Sequence, residues 1–132
     1  MPETKDEVKY NRIEFYETID GKRPVEEFLD GISDIKLKVK TLKNLQLLDS
    51  EGQKLRAPYS EYVEDGILEL RTKQSSNIDR IFYFFVVGDK IIMTNGYIKK
   101  SQKLDNDELA KAKKYRDDYM NRYFPKNTKE KK

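Results

Sequence analysis

The sequence has no cysteine and no histidine. Without cysteine there is no disulfide, no thiolate nucleophile and no thiolate metal ligand. Without histidine, the usual general base and the commonest zinc ligand are gone as well. Chemistry has to come from carboxylates, lysine, arginine, tyrosine or hydroxyls, and neither a metal nor a cofactor is expected. Tryptophan is also absent, and no apolar run approaches the roughly 18 residues of a membrane span. The opening stretch MPETKDEVKY lacks the apolar core and cleavage pattern of a secretory signal. A cytoplasmic protein without a membrane partner is the expectation.

A chain of 132 residues is long enough for one domain to bury a single core. That domain is expected to span 1–124, with a disordered, lysine-rich tail at 125–132 that has no apolar anchor. Charged residues (39%) outnumber hydrophobic ones (36%), a balance compatible with disorder. The apolar residues nevertheless fall in periodic runs, so the middle of the chain should fold. Net charge is only +3, but it is unevenly spread. Residues 1–30 carry five Lys/Arg against nine Asp/Glu, whereas 71–103 carry seven against two. The excess of cations therefore lies on predicted strands.

In NRIEFYET (11–18), Ile13 and Phe15 alternate with polar neighbours, which reads as a strand closed by Asp20-Gly21. Pro24 suits the first turn of a short helix through VEEFLDG. From Ser33 as N-cap, Ile35, Val39, Leu42, Leu45 and Leu48 recur at helical spacing up to Gly52. Residues 52–66, with Pro58, read as a loop holding a short extended piece at 61–63. ILELRT (67–72), the continuous apolar run RIFYFFVV (80–87) and KIIMTNGYI (90–98) are three strands, the last two joined by a turn at Gly88-Asp89. Asp105 with Glu108 gives a capping-box-like start to a final helix faced by Leu109, Ala112, Tyr115, Tyr119 and Tyr123. The tyrosines, at helical spacing, read as packing residues. The order is α+β, and by itself it names no function.

Three segments carry more: GQKLRAPYSEYVEDGILELR, IDRIFYFF and GYIKKSQKLDNDELAKAKKYRDDY. Their order and spacing resemble the RelE/ParE superfamily of toxin–antitoxin toxins, in particular its HigB-like branch related to phage-derived host-inhibition proteins. The resemblance spans roughly 12–123. It rests on Gly52, Leu55 and Pro58, on Gly66 with Glu69-Leu70-Arg71, on the Arg80 that opens the central strand, and on Tyr97 to Lys100 followed by Gln102 and Lys103. Val63 and Tyr97 stand where leucine and phenylalanine are usual, and both keep an apolar body.

The resemblance implies a RelE-like fold, with an antiparallel twisted sheet of about four strands packed by an N-terminal helix hairpin and a C-terminal helix. It further implies a type II toxin that is a metal-independent endoribonuclease, cleaving mRNA in association with the ribosome and so inhibiting translation. Its partner would be a cognate antitoxin, a small helix-turn-helix DNA-binding protein. Arg71, Arg80, Tyr97, Lys99 and Lys100 are the implied catalytic residues, with RNA contacts from Lys54, Arg56, Lys73, Gln102 and Lys103.

The residue chemistry is compatible with that implication. Attack of a ribose 2′-hydroxyl on the adjacent phosphate needs one proton removed, one donated, and the phosphorane charge neutralised. Arginine stays charged and presents a planar fork of donors suited to phosphate oxygens. A lysine crowded by other cations loses basicity and can exchange protons nearer neutrality. Tyrosine can stack on a splayed base or offer its hydroxyl. Alternation puts Tyr97 and Lys99 on one strand face and Lys100 on the other. As exposed strand cations, these side chains should matter to chemistry far more than to folding.

Competing readings use the same residues. Strand arginines often pair with carboxylates, here Glu69, Asp79 or those of the last helix, and Glu69 is a partner for Arg71 as well as a weak candidate base. A ParE-like inhibitor of DNA gyrase would share the fold without catalysis, and an RNA-binding domain without cleavage would share the electrostatic footprint. The cationic cluster favours the nuclease over the gyrase inhibitor.

Overall fold

The apolar run 80–87 becomes the middle of a five-stranded sheet. The computed structural model describes residues 9–99 and 104–125. In chain order the elements are β1 (Ile13–Phe15), α1 (Pro24–Asp30), α2 (Ile35–Glu51), β2 (Ser60–Glu64), β3 (Ile67–Gln74), β4 (Asn77–Val86), β5 (Lys90–Lys99) and α3 (Asn106–Tyr123). Strand order is β1-β5-β4-β3-β2. The sheet is mixed: β1 runs parallel to β5, and every other pair is antiparallel. The expected antiparallel sheet of about four strands is corrected on both points. The extended piece at 61–63 lengthens into edge strand β2, and β1 closes the opposite edge by pairing Ile13 with Ile91, far along the chain.

Both faces of the sheet are covered, which is why β4 is apolar without alternation. On one face Leu70, Ile81, Tyr83, Ile91 and Met93 pack with Val25 and Leu29 of α1 and Leu37, Leu45 and Leu48 of α2. On the other, Ile67, Phe82, Phe84, Ile92 and Tyr97 pack with Leu109, Ala112 and Tyr119 of α3. The main contacts of α1 are with β5 and those of α2 with β3, so the N-terminal helices lie on the sheet as two separate props.

The buried stripe of α2 is Leu37, Thr41, Leu45 and Leu48, with Leu42 half-buried beside it, so the second half of the expected stripe faces the core and its first half does not. Ile35 and Val39 are exposed, at 69% and 48%. Both stripes satisfy helical spacing, and Thr41 sits inside because its hydroxyl lies 2.6 Å from the buried Asp79 carboxylate. The N-cap is Asp34, whose side chain accepts from the backbone N–H of Lys36 and Leu37, rather than Ser33. Gly52 ends α2 at φ +59°, a conformation that glycine adopts without penalty. Asp105 caps α3 as expected, but Glu108 turns to Asn95 and Lys111 instead of completing a capping box.

Edge strand β1 is tied down from outside. Asp49, at the end of α2, accepts from the backbone N–H of Asn11 (2.9 Å), Arg12 (2.6 Å) and Ile13 (2.9 Å). The Arg12 guanidinium answers by bonding the carbonyls of Asp49 and Ser50. These bonds occupy edge groups that would otherwise be left without partners.

Candidate active site

A row of candidate side chains crosses three strands. The register sets Arg71 of β3 opposite Arg80 of β4, and Arg80 opposite Tyr97 of β5. One step further along, Lys99 lies opposite Ile78. Arg80 is the fourth residue of β4 rather than its first, because the strand begins at Asn77. This deeper position places it in the middle of the sheet.

A bulge in β5 decides which face the row occupies. Tyr83 pairs with Met93 but Ile81 pairs with Gly96, so β5 carries one extra residue between the two pairs. Met93 therefore packs beneath α1 and α2, whereas Tyr97 packs on the α3 side. Simple alternation would have put positions 93 and 97 on one face. The bulge re-aims Tyr97 and Lys99 toward the face that holds Arg71 and Arg80. Gly96 then faces α1, where an added Cβ would stand 2.7 Å from the Phe28 ring.

The two arginines have different surroundings. Arg80 is 9% exposed, and its Nη1 donates to Glu69, which is 2% exposed. Arg71 is partly exposed and its Nη1 reaches Glu61 of β2 at 3.3 Å. Glu69 is thus the partner of Arg80, not of Arg71. Asp79 pairs with neither arginine, since it points to the opposite face and meets Thr41. Pairing of strand arginines with carboxylates is real here, yet it leaves donors over. Arg71 Nε, Arg80 Nε and Glu69 Oε1 are buried and have no hydrogen-bond partner among the described residues. The guanidinium of Arg71, on a side chain one-third exposed, is the accessible fork of donors that suits an anion with several oxygens.

Lys99 is 7% exposed. Burial lowers its ammonium pKa first, and the Arg80 guanidinium lowers it further, while Glu69 acts in the opposite direction. Crowding by other cations is the expected cause; among the described residues burial comes first and Arg80 and Arg71 add the crowding, while Lys100 and Lys103 lie outside them. Tyr97 is 9% exposed, and its hydroxyl accepts the Asp105 backbone N–H at 3.4 Å. Burial raises the phenol pKa, so at neutral pH Tyr97 keeps its proton.

The remaining sequence-derived candidates are scattered. Lys54 ends the 3-10 turn after α2 and is exposed. Arg56 is exposed too, with its guanidinium on the carbonyls of Gln53 and Leu55. Lys73 is exposed on β3 two residues beyond Arg71. Lys100, Gln102 and Lys103 lie outside the described residues, as does the tail at 126–132. Tyr115 stacks on Tyr16 and Tyr119 packs edge-on against Phe84, so both are packing residues. Tyr123 is 57% exposed at the end of α3. Glu61 is a partner that the sequence reading does not give: it lies in the extended piece at 61–63, and only the pairing of β2 with β3 brings it to Arg71.

Among the described residues, no helix is long and apolar enough to cross a membrane, and no three carboxylates cluster as a metal site would require. No curated protein matches the chain. A family model does, described as "Phage derived protein Gp49-like (DUF891)", over residues 27–117. The match runs from α1 into α3 and contains Glu61, Glu69, Arg71, Arg80, Tyr97 and Lys99, leaving only β1 and the chain ends outside. With most of its length and the whole row of charged strand residues inside that match, the chain belongs to the Gp49-like family of phage-derived proteins, a RelE/HigB-like toxin family of toxin–antitoxin systems.

Proposed function

We propose that this chain is the toxin of a type II toxin–antitoxin pair and acts as a metal-independent endoribonuclease on mRNA, in association with the ribosome. The observation that carries this reading is the row Arg71–Arg80–Tyr97 with Lys99 beside it, brought to one sheet face by strand register and the β5 bulge. A scissile phosphate set against this row meets two fixed cations. They neutralise charge as the phosphorane forms, the role that metal ions fill elsewhere.

Proton transfer falls to the other two side chains. Lys99, with its ammonium destabilised by burial and by Arg80, takes the proton from the attacking 2′-hydroxyl. Tyr97, protonated at neutral pH, gives its proton to the leaving 5′-oxygen and is reprotonated from solvent, as Lys99 is deprotonated, before the next turnover. Glu69 holds Arg80 by one nitrogen and so fixes the orientation of its remaining donors. The products are a 2′,3′-cyclic phosphate and a free 5′-hydroxyl. A cognate antitoxin would inhibit by covering this face or by blocking ribosome entry.

The test is cleavage of an end-labelled mRNA, with and without ribosomes, in the presence of a chelator. Chelator-resistant cleavage that leaves a 2′,3′-cyclic phosphate is expected. Protein that arrests growth without cutting RNA in either condition would refute the reading and turn attention to DNA gyrase.

A further inference from the structure

Beside the row, at the end of β3 that β2 does not cover, the surface dips into a groove of about 410 Å³ between α2, Pro58-Tyr59 and β3. Lys40, Lys43, Arg71 and Lys73 line it, and among the described residues no acidic one does. The larger groove along β1, by contrast, mixes its cations with Glu14, Glu26 and Asp30. Lys40, Lys43 and Lys73 are exposed, and Tyr59 is 40% exposed. Lys40 Nζ rests 2.9 Å from the Lys73 carbonyl, which holds an ammonium across the groove. Arg71 lines the groove and also belongs to the row, so it links the groove, on the α2 side of β3, to the row on the α3 face around the stretch of β3 that β2 leaves open.

We propose that this groove is a subsite for single-stranded RNA, taking nucleotides that flank the scissile phosphate, with Lys40, Lys43 and Lys73 on backbone phosphates and Tyr59 against a base. The proposal rests on the nuclease reading and extends it to residues of α2 and the 58–59 corner. A one-signed cationic groove with an accessible ring is the arrangement that binds single strands without reading sequence. Phosphates satisfy the lysines, and the flat base gives the ring a partner that an acidic peptide lacks. Substrates are therefore held mainly by charge and stacking on this side of the cut, with little base preference there.

The experiment measures binding of a short labelled single-stranded RNA by fluorescence anisotropy across a salt series, alongside thermal unfolding. The proteins are the wild type, Tyr59→Ala, Tyr59→Phe and the double variant Lys40→Ala/Lys43→Ala. Loss of one stacked base should weaken binding by about 5- to 100-fold in Tyr59→Ala, and Tyr59→Phe should bind like the wild type. The double lysine variant should show a salt slope shallower by about 1.4, at roughly 0.7 per lost phosphate contact on a single strand. If Tyr59→Ala unfolds, the salt slope of the lysine variant decides. Wild-type affinity and slope in all variants, while the wild type binds and cuts RNA, would overturn the subsite and leave the nuclease reading standing. That result is also what a groove built for an acidic protein segment would give. A wild type that neither binds nor cuts RNA would overturn both.

Discussion

Replacing Asp79 by asparagine (Asp79→Asn) should remove a pH dependence of stability that the tertiary structure builds in behind the sheet face that carries Arg71 and Arg80. Asp79 is fully buried. The Thr41 hydroxyl lies 2.6 Å from its Oδ2 and 2.8 Å from the Leu37 carbonyl. One hydroxyl hydrogen cannot serve two acceptors at once. A protonated carboxyl resolves the conflict, since Asp79 then donates to Thr41 and Thr41 donates to Leu37. Burial pushes the Asp79 pKa from 3.8 up to about 6, against the hydrogen bonds from Thr41 and Thr72.

The folded pKa is the higher one, so across that window the folded chain keeps a proton that the unfolded chain has released. The stabilisation is complete below the unfolded value and is lost as pH rises through the folded value. Two units correspond to about 3 kcal/mol. Asparagine can still donate to Thr41 but does not titrate, and its spare amide hydrogen adds a cost that does not vary with pH. Urea denaturation of both proteins from pH 4 to 7.5 should therefore show their stability difference shifting by about 3 kcal/mol in favour of the variant as pH rises. In melting temperature this is roughly 10 °C for a chain of this size. Parallel stability–pH profiles would refute the reasoning.

Arg80→Ala leaves the buried Glu69 carboxylate without its cation and should cost about 3–5 kcal/mol in chemical denaturation, with much of it recovered in Arg80→Met/Glu69→Leu, because an apolar pair escapes the desolvation penalty. Arg71→Ala is the cleaner probe of chemistry: its side chain is one-third exposed, so the unfolding midpoint should barely move while RNA cleavage falls by roughly 10²–10³-fold. Asp49→Ala strips three backbone N–H groups of their acceptor and should cost about 2–4 kcal/mol, with hydrogen exchange rising first in β1. Gly96→Ala drives a methyl against Phe28 and Ile81 and should destabilise by about 1–3 kcal/mol, read as a lower urea midpoint.

What the sequence determined by itself was local. Pro24, Asp105 and Gly52 mark helix ends through capping and φ preferences that need only neighbouring residues. The β3–β4–β5 meander follows from apolar runs separated by short turns, with Gly88 and Asp89 both at positive φ between the last two strands. The count of charges put Arg71, Arg80 and Lys99 on one cationic stretch of predicted strands, and the family resemblance singled them out together with Tyr97.

The tertiary structure decided whatever depends on partners distant in the chain or on an irregular backbone. Alternation cannot give the direction or partner of β1, which pairs with a strand more than seventy residues away. It cannot reveal a bulge either, and one extra residue in β5 settles which face Tyr97 and Lys99 share with the arginines. Two helical stripes of α2 were equally periodic, and a hydroxyl for the buried Asp79 selected the one containing Thr41. Above all, sequence treated Arg71 and Arg80 alike as exposed cations. Strand register set Arg80 between neighbouring strands as a buried member of an ion pair with Glu69 and left Arg71 on the stretch of β3 that β2 does not cover, because burial is a property of what surrounds a residue rather than of the residue itself.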